Sequence, residues 1–303
     1  MQYYQEAIAL GSKTGISLVS SADSHKVELI FKKLWRTIFQ FERQFSRFLP
    51  SSELSIFNRN AGLNQSISSG FRDLLIAAKQ MSDLSDGLYN PFVLPAVQLA
   101  GYRSSRVPEH ENDLTDDFSK RSVASFDQLD IGEDWAKIPY DTALDMGGCG
   151  KGYLADRLTQ AISAEISGYW ISLGGDIVAS GRDAHNKPWK VSVEDALNNK
   201  RQVATYLAES TCGVATSGIT VNGGHIIDPR TRLPAVTDVL LATVCDDSCL
   251  RADVLASCVV ILGAKDGLDF LKAKGAKAAV IQYQAKAKMQ NVMHFGNVKI
   301  VRK

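Results

Sequence analysis

Between Asp23 and Ser46 the apolar residues Val27, Ile30, Phe31, Leu34, Ile38, Phe41 and Phe45 recur in steps of three and four. That is the period of one helix face, so the spacing predicts a long amphipathic helix. Ser69 as a cap, a stripe of Leu74, Leu75, Ala78 and Met81, and Gly87 as a stop predict a second helix. A third is expected from Gly152 to Ile166, ended by Gly168. Beyond Tyr169 the texture changes to short β-rich runs, "YWISL", "DIVAS", "WKVSVE", "QVATYLAES", "HIID" and "VLLATVC", separated by Gly, Asn and Asp. Two helical patterns follow, Cys249 to Leu262 and Lys265 to Lys274, and "KAAVIQY" and "NVKIVR" read as closing strands. The polar, acid-rich stretch from Arg103 to Lys137 has little periodicity and is expected to be an insertion or loop. Helices and strands are grouped rather than alternating, and no repeat is visible. The expectation is an α+β fold forming one mixed domain over residues 1–303, with helices in the N-terminal half, a β-rich C-terminal half and one or two lobes.

Composition narrows the class of function. Hydrophobic residues make up 45% and charged residues 22% of 303, with mean hydropathy −0.08, which excludes a disordered or collagen-like chain. Lys plus Arg at 34 against Asp plus Glu at 33 leaves a formal charge of +1, so nucleic acid is not an expected partner. The longest apolar stretches fall short of the roughly 20 residues a spanning helix needs, and no membrane span is expected. "MQYYQEAIALGSK" lacks the basic start and apolar run of a signal peptide. A cytoplasmic location is therefore expected, or an exported or membrane-anchored one if the N-terminus has been shortened. Cys149, Cys212, Cys245, Cys249 and Cys258 form an odd set without CxxC spacing, which favours reduced thiols over a disulfide framework or a zinc site.

Three segments carry candidate chemistry. "LDMGGCGKGYLADRL" places Asp145 at the end of an expected short strand, then Gly147, Gly148, Gly150 and Gly152, then a helix. Such a turn lets backbone N–H groups approach a phosphate, and it also serves as a plain strand-to-helix connection. Gly150, Gly152 and Ala155 satisfy a GxGxxA pattern, but the following acid of a dinucleotide fold is replaced by Asp176 behind two glycines. Lys151 is followed by Gly152, so no Walker A motif exists. "ATSGITVNGGHIIDPRTRLPA" is dense in turn formers. On an extended strand His225 and Asp228 point to opposite faces, so they are not automatically a pair, and His225 reads equally as structural or functional. "CLRADVLASCVVILG" puts Asp253 and Ser257 on one helix face. There the acid either favours the helix N-terminus or joins the hydroxyl as two hard oxygen ligands suited to Mg²⁺.

In their order along the chain these segments resemble the ApbE family of flavin transferases. "ALGSKTGISL" is similar to the family's AMGT stretch, "FSRFLPSSELSIFNRNAG" to an aromatic, Pro, then SELSxxN, and "SDGLYNPFVLP" to DGxFDPTxxP. "LDMGGCGKGYLADRL" resembles DLGGIAKGYAVD, "ATSGITVNGGHIIDPRTRLP" resembles TSG…HIIDPxTGxP, and "RADVLASCVVILG" resembles ADALxTAxFxLG. The resemblance implies Mg²⁺-dependent transfer of FMN from FAD to a Ser or Thr hydroxyl in a small-residue loop of an acceptor protein, with AMP released. It implies FAD contacts from Leu10, Phe48, Leu88, Tyr89, Asn90, Asp145, Lys151 and Ile226. It also implies a Mg²⁺ position formed by Asp253, Ser257 and the Gly148 carbonyl. Asp253 and His225 are the candidate catalytic residues. The chain departs from the pattern at Leu10 (usually Met), Asn90 (usually Asp), Ser257 (commonly Thr) and Arg232 (usually Gly), and Arg232 is expected to add charge beside the pocket. Two alternatives share these residues: an FAD pyrophosphatase, and a non-catalytic FAD-binding protein.

Overall fold

The computed structural model describes residues 1–103, 116–219, 224–284 and 290–301. Its main layer is a fully antiparallel eight-stranded sheet in the order β1 (Gln2–Ala9), β2 (Ser12–Ser20), β6 (Ile166–Leu173), β7 (Asp176–Gly181), β10 (Cys212–Gly218), β13 (Val239–Asp246), β14 (Ala278–Gln284) and β15 (Gln290–Phe295). Side chains alternate across it as the pleat requires. Ile16, Leu18, Ile171, Leu173, Ala242, Val244, Ala279 and Ile281 point to a helical layer. Val19, Ala179, Val214, Cys245 and Val280 point instead to a three-stranded sheet of β16 (Val298–Ile300), β9 (Asn198–Ala208) and β8 (Trp189–Asp195).

The helical layer contains α1 (Ser24–Phe45), α2 (Glu53–Arg59), α3 (Ser69–Leu84), α4 (Leu94–Leu99), α5 (Gly150–Thr159), α6 (Cys249–Leu262) and α7 (Ala264–Ala273). α1 follows its periodicity: Asp23 caps it through the Lys26 N–H, and Val27, Phe31, Leu34, Ile38 and Phe45 are buried. Each such side chain contributes about 1.5–3 kcal/mol of burial. The expected α+β class holds. The first strands of the main sheet, however, come from the N-terminus, where a hairpin pairs through β2 with β6.

Several local expectations are corrected. The cap of α3 is Ser68, one residue before Ser69: its hydroxyl accepts from the Phe71 N–H at 3.1 Å, and the Glu53 carboxylate holds it by accepting from the Ser68 N–H and hydroxyl at 2.7 Å. α5 ends at Thr159, since Ile166 and Gly168 belong to β6 and a side chain at Gly168 would collide with the Arg182 carbonyl. "ATSG", dense in turn formers, is the end of central strand β10. Its Gly213 lies where a Cβ would sit 2.3 Å from the backbone of Cys249, so glycine there serves close packing on α6. "HIID" is a strand only at β11 (Ile227–Asp228), paired with β12 (Leu233–Pro234). Within the stretch read as a loop, residues 104–115 lie outside the described residues. The remainder buries Phe118, Val123, Phe126 and Leu129 and supplies β4 (Asp130–Ile131) and β5 (Trp135–Lys137), which form a small sheet with β3 (Gln65–Ser66). The described cysteines are all free and buried, and no described helix is long and apolar enough to cross a membrane.

Candidate functional site

A cleft of about 1450 Å³ opens where the helical layer meets the main sheet. Its lining includes Leu10, Phe48, Leu88, Tyr89, Asn90, Asp145, Gly148, Lys151, His225, Ile226, Asp253 and Ser257, so every candidate residue faces one space.

One wall is built on α6. This helix is apolar on nearly all sides: Leu255, Ala256 and Val259 pack on the sheet, while Leu250, Val254 and Cys258 pack on the other helices. Its first turn is already occupied, because the Asp156 carboxylate of α5 accepts from the Ser248 hydroxyl and the Cys249 and Leu250 N–H groups at 2.7–3.0 Å. Asp253 therefore does not serve the helix N-terminus. It is 4% exposed and accepts one hydrogen bond, from the Gly152 N–H at 3.2 Å. Gly152 permits that approach: a Cβ on it would lie 2.7 Å from the Cys249 carbonyl. Gly152 is thus a helix-crossing glycine, whereas Gly147 and Gly148 lie in the open part of the turn.

Burial, reinforced by the nearby charge of Asp176, pushes the Asp253 carboxyl up to about 8 against the opposing pull of Lys151. The Lys151 ammonium is ion-paired with Asp176, whose side chain is 4% exposed. Burial works against the ammonium, but the charges of Asp176 and Asp253 outweigh it and raise its pKa. The Ser257 hydroxyl shares a 2.9 Å hydrogen bond with Ser217 of β10. Among the described residues no three His, Cys, Asp or Glu side chains converge as a metal cage. One carboxylate, one hydroxyl and a backbone carbonyl nevertheless suit Mg²⁺, which takes few protein oxygens and completes its shell with water and phosphate. The residues fit this ion because a buried carboxylate of raised pKa is stabilised as an anion by an adjacent hard cation.

A second part of the lining is built around Asp145. No strand precedes it; residues 142–146 are irregular, and the Asn58 side chain replaces a strand partner, donating to the Leu144 carbonyl and accepting from its N–H at 2.9 and 2.8 Å. Arg121 fastens the same segment through the carbonyls of Asn58 and Thr142. Asp145 accepts from the Gly147 N–H at 2.8 Å and pairs with Arg47 Nε at 3.5 Å. The Arg47 guanidinium also lies 4.2 Å from the Phe48 ring centroid and donates to the Tyr102 carbonyl at 3.1 Å. The Tyr102 ring in turn packs on His225 with centroids 5.6 Å apart. Asp228 takes no part in this lining: it is held by Arg230.

The comparisons with known proteins agree with this architecture. The sequence pattern described as "ApbE family" matches residues 10–281. The chain belongs to the ApbE family. A Vibrio cholerae protein named FAD:protein FMN transferase is 24% identical over 278 residues, covering 88% of this chain and 83% of the relative. A Haemophilus influenzae protein of the same name is 25% identical over 271 residues, covering 84% and 76%. Among solved structures, the apo form of the Pseudomonas stutzeri flavinyl transferase ApbE superposes with a TM-score of 0.82 at 24% identity, covering 97% of this chain and 94% of that one. Flavin transferase ApbE from Vibrio cholerae gives 0.80 at 22% identity, covering 97% of both.

Against the ApbE pattern, the departures now have physical content. Leu10 forms the β1–β2 turn with Gly11 at φ +54° and +69°, so a non-glycine side chain is held in the left-handed region while facing the cleft. The Asn90 amide is occupied at both ends, accepting from the Phe92 N–H and donating to the Ala124 carbonyl at 2.9 and 2.8 Å. Its edge of the cleft is thus shaped by a cap. Arg232 is corrected: it is not among the cleft residues, and it takes φ +64° at the exposed β11–β12 turn, the conformation for which the ApbE pattern has glycine. Sequence reasoning missed Arg47, Asp176 and Ser217. Their signals were an Arg before the aromatic of "FSRFLP", the acid of "LGGD" and the hydroxyl of "ATSG".

Proposed function

We propose that this chain transfers FMN from FAD to a Ser or Thr hydroxyl of an acceptor protein in a Mg²⁺-dependent reaction that releases AMP, the whole chain acting as one domain. The observation that carries the reading is the Asp253 cluster: a buried carboxylate of raised pKa beside Ser257, Lys151 and the Gly147–Gly148 turn, at one wall of a cleft larger than the ~300–1000 Å³ of ordinary small-molecule sites. That volume admits an elongated ligand with two ring systems and a pyrophosphate between them.

Phosphoryl transfer asks a protein for positioning and for charge at the reacting phosphate. Asp253, Ser257 and the Gly148 carbonyl are the groups that would hold Mg²⁺, which would supply positive charge at the pyrophosphate. Lys151, fixed by Asp176, directs its ammonium toward the same phosphates. Leu10, Phe48, Leu88, Tyr89 and Ile226 pack against the rings, and the Arg47–Asp145 pair keeps Phe48 in place. The acceptor oxygen forms a bond to the FMN phosphorus while the bond from that phosphorus to the bridging oxygen breaks. The acceptor proton passes to His225, backed by Tyr102, and AMP departs with the bridging oxygen. Incubation with FAD, Mg²⁺ and a threonine peptide tests this: mass spectrometry is expected to show one FMN increment on the peptide and one AMP per adduct. FMN released only into water identifies a pyrophosphatase, and FAD bound without AMP release overturns catalysis.

A further inference from the structure

The edge of the small sheet runs from a second cavity into the cleft. β9 pairs with one side of β8, and among the described residues no strand pairs with the other. The register shows which backbone groups face that open side. The Val301 N–H donates to the Val203 carbonyl at 2.9 Å and Thr205 lies opposite Lys299, so from Val203 to Ala208 odd residues of β9 bond toward β16 and even ones toward β8; the register shift beside Val203 falls at the end of this stretch, between the Val193–Ala204 and Glu194–Gln202 pairs. Ala204, Tyr206 and Ala208 lie opposite Val193, Val191 and Trp189. Those three residues of β8 are therefore tied into the ladder, and the N–H and C=O groups of Lys190 and Ser192 face outward.

That open edge is bordered by space at both ends. A cavity of about 620 Å³ is lined by Lys190 and Ser192 together with Tyr4, Trp170 and Trp189. Ser192 also lines the main cleft, where Val193 and Glu194 continue inward. The Gly174–Gly175 turn borders both spaces. Gly175 has φ +103°, and a Cβ there would meet nothing within 4 Å, so the turn leaves room for another backbone to pass closely. At about 3.3 Å per residue, the steps from Lys190 to Glu194 carry a chain roughly 13 Å, from one cavity into the other.

We infer that the open edge of β8 is where the acceptor protein docks: an extended, small-residue segment pairs with Lys190 and Ser192 as an added strand, which delivers its hydroxyl past Val193 and Glu194 to the reacting phosphate. This rests on the transferase reading. Strand addition draws its affinity from main-chain hydrogen bonds and asks little of the guest's side chains, which suits a small-residue segment. The exposed ring of Tyr4 and the half-buried ring of Trp170 offer apolar contact to alternate residues of the guest.

The test uses ten-residue peptides of alanine, glycine and valine with one threonine moved through successive positions. It compares Lys190→Pro, which removes an edge N–H without touching the β9 ladder, with Lys190→Ala, which removes only the side chain. Lys190→Pro is expected to lose at least about tenfold in FMN transfer to peptide relative to Lys190→Ala. Its FAD affinity and AMP release into water should stay within about twofold, since Lys190 does not line the main cleft. In the wild type, peptide should slow hydrogen exchange at the Lys190 and Ser192 amides, a readout that stands even if the proline variant folds poorly. Equal transfer by two folded variants, or no protection of those amides by a peptide that is modified, overturns docking on β8 while leaving transferase activity intact. AMP release with no adduct on any peptide overturns the acceptor reading itself.

Discussion

The α5–α6 wall of the cleft and the two turns that carry non-glycine residues at positive φ hold their residues in different ways. On the α5–α6 wall, charge is buried where backbone leaves no alternative: Asp156 occupies the N-terminus of α6, Gly152 lets α5 touch it, and Asp253 and Lys151 are left facing each other's fields. The hairpin and β11–β12 turns instead keep non-glycine residues in left-handed conformations, Leu10 inside the cleft and Arg232 outside it. The contrast teaches that the α5–α6 wall stores its cost as electrostatics and the turns as backbone strain. Substitutions should therefore separate chemistry from stability differently on each side.

The largest effect is expected from Asp253→Asn. Replacing a ligand to a hard cation should lower FMN transfer by at least about a thousandfold, with a metal-free melting temperature equal to or above that of wild type because the carboxyl whose ionisation favours the unfolded chain is gone. Activity assays with and without chelator, beside thermal melts, check both halves. Full turnover would remove Asp253 from the metal role.

Gly152→Ala should follow. Its Cβ would lie 2.7 Å from the Cys249 carbonyl and 2.8 Å from the Leu250 Cα, so α5 and α6 must separate. The expected loss is about 1–3 kcal/mol, read by urea unfolding. Gly150→Ala is the control, since its nearest contact is an ordinary 3.7 Å to Phe41. Equal stability of the two would undo the packing argument and return Gly152 to the phosphate.

The charge stored on the α5–α6 wall also has a pH signature. In metal-free protein the Asp253 carboxyl titrates near 8 when folded and near 3.8 when unfolded. Between those values the unfolded chain has released a proton that the folded one keeps, so this group's contribution to stability should fall as pH rises from about 4 to 8. Denaturation midpoints of wild type and Asp253→Asn across that range should converge at the acid end and separate at the alkaline end.

At the strained β1–β2 turn, Leu10→Gly should relieve the left-handed conformation while removing an apolar contact, so stability is held or raised as FAD affinity falls. Titration of FAD against both proteins, with melts alongside, tests the split. The smallest effect is expected of Arg232→Gly, a gain of about 0.5–1 kcal/mol with FAD affinity unchanged. A changed affinity would put Arg232 back beside the pocket.

The order of motifs marks the family in the sequence alone, and α1 and most strands beyond Tyr169 were legible because one face or alternate positions are apolar. α2, β10 and the outer edge of β2 were not, because each is stabilised by partners far away in sequence. Glycines in β10 look like turn signals until α6 lies on them. Arg47, Asp176 and Ser217 escaped for the same reason: each acts by touching a residue from another motif, Asp145, Lys151 and Ser257 respectively.

The sequence by itself determined the α+β class, the long first helix and the motif residues that turn out to line the cleft, since periodicity and motif identity are local properties of the chain. Only the tertiary structure decided which glycine serves packing and which faces open space, that Asn90 caps and Arg232 lies outside, and that Asp253 is buried between α5 and Asp176. Those outcomes depend on distances between segments about a hundred residues apart, such as the Gly152–Asp253 hydrogen bond, and on the low dielectric that their packing creates around a carboxylate.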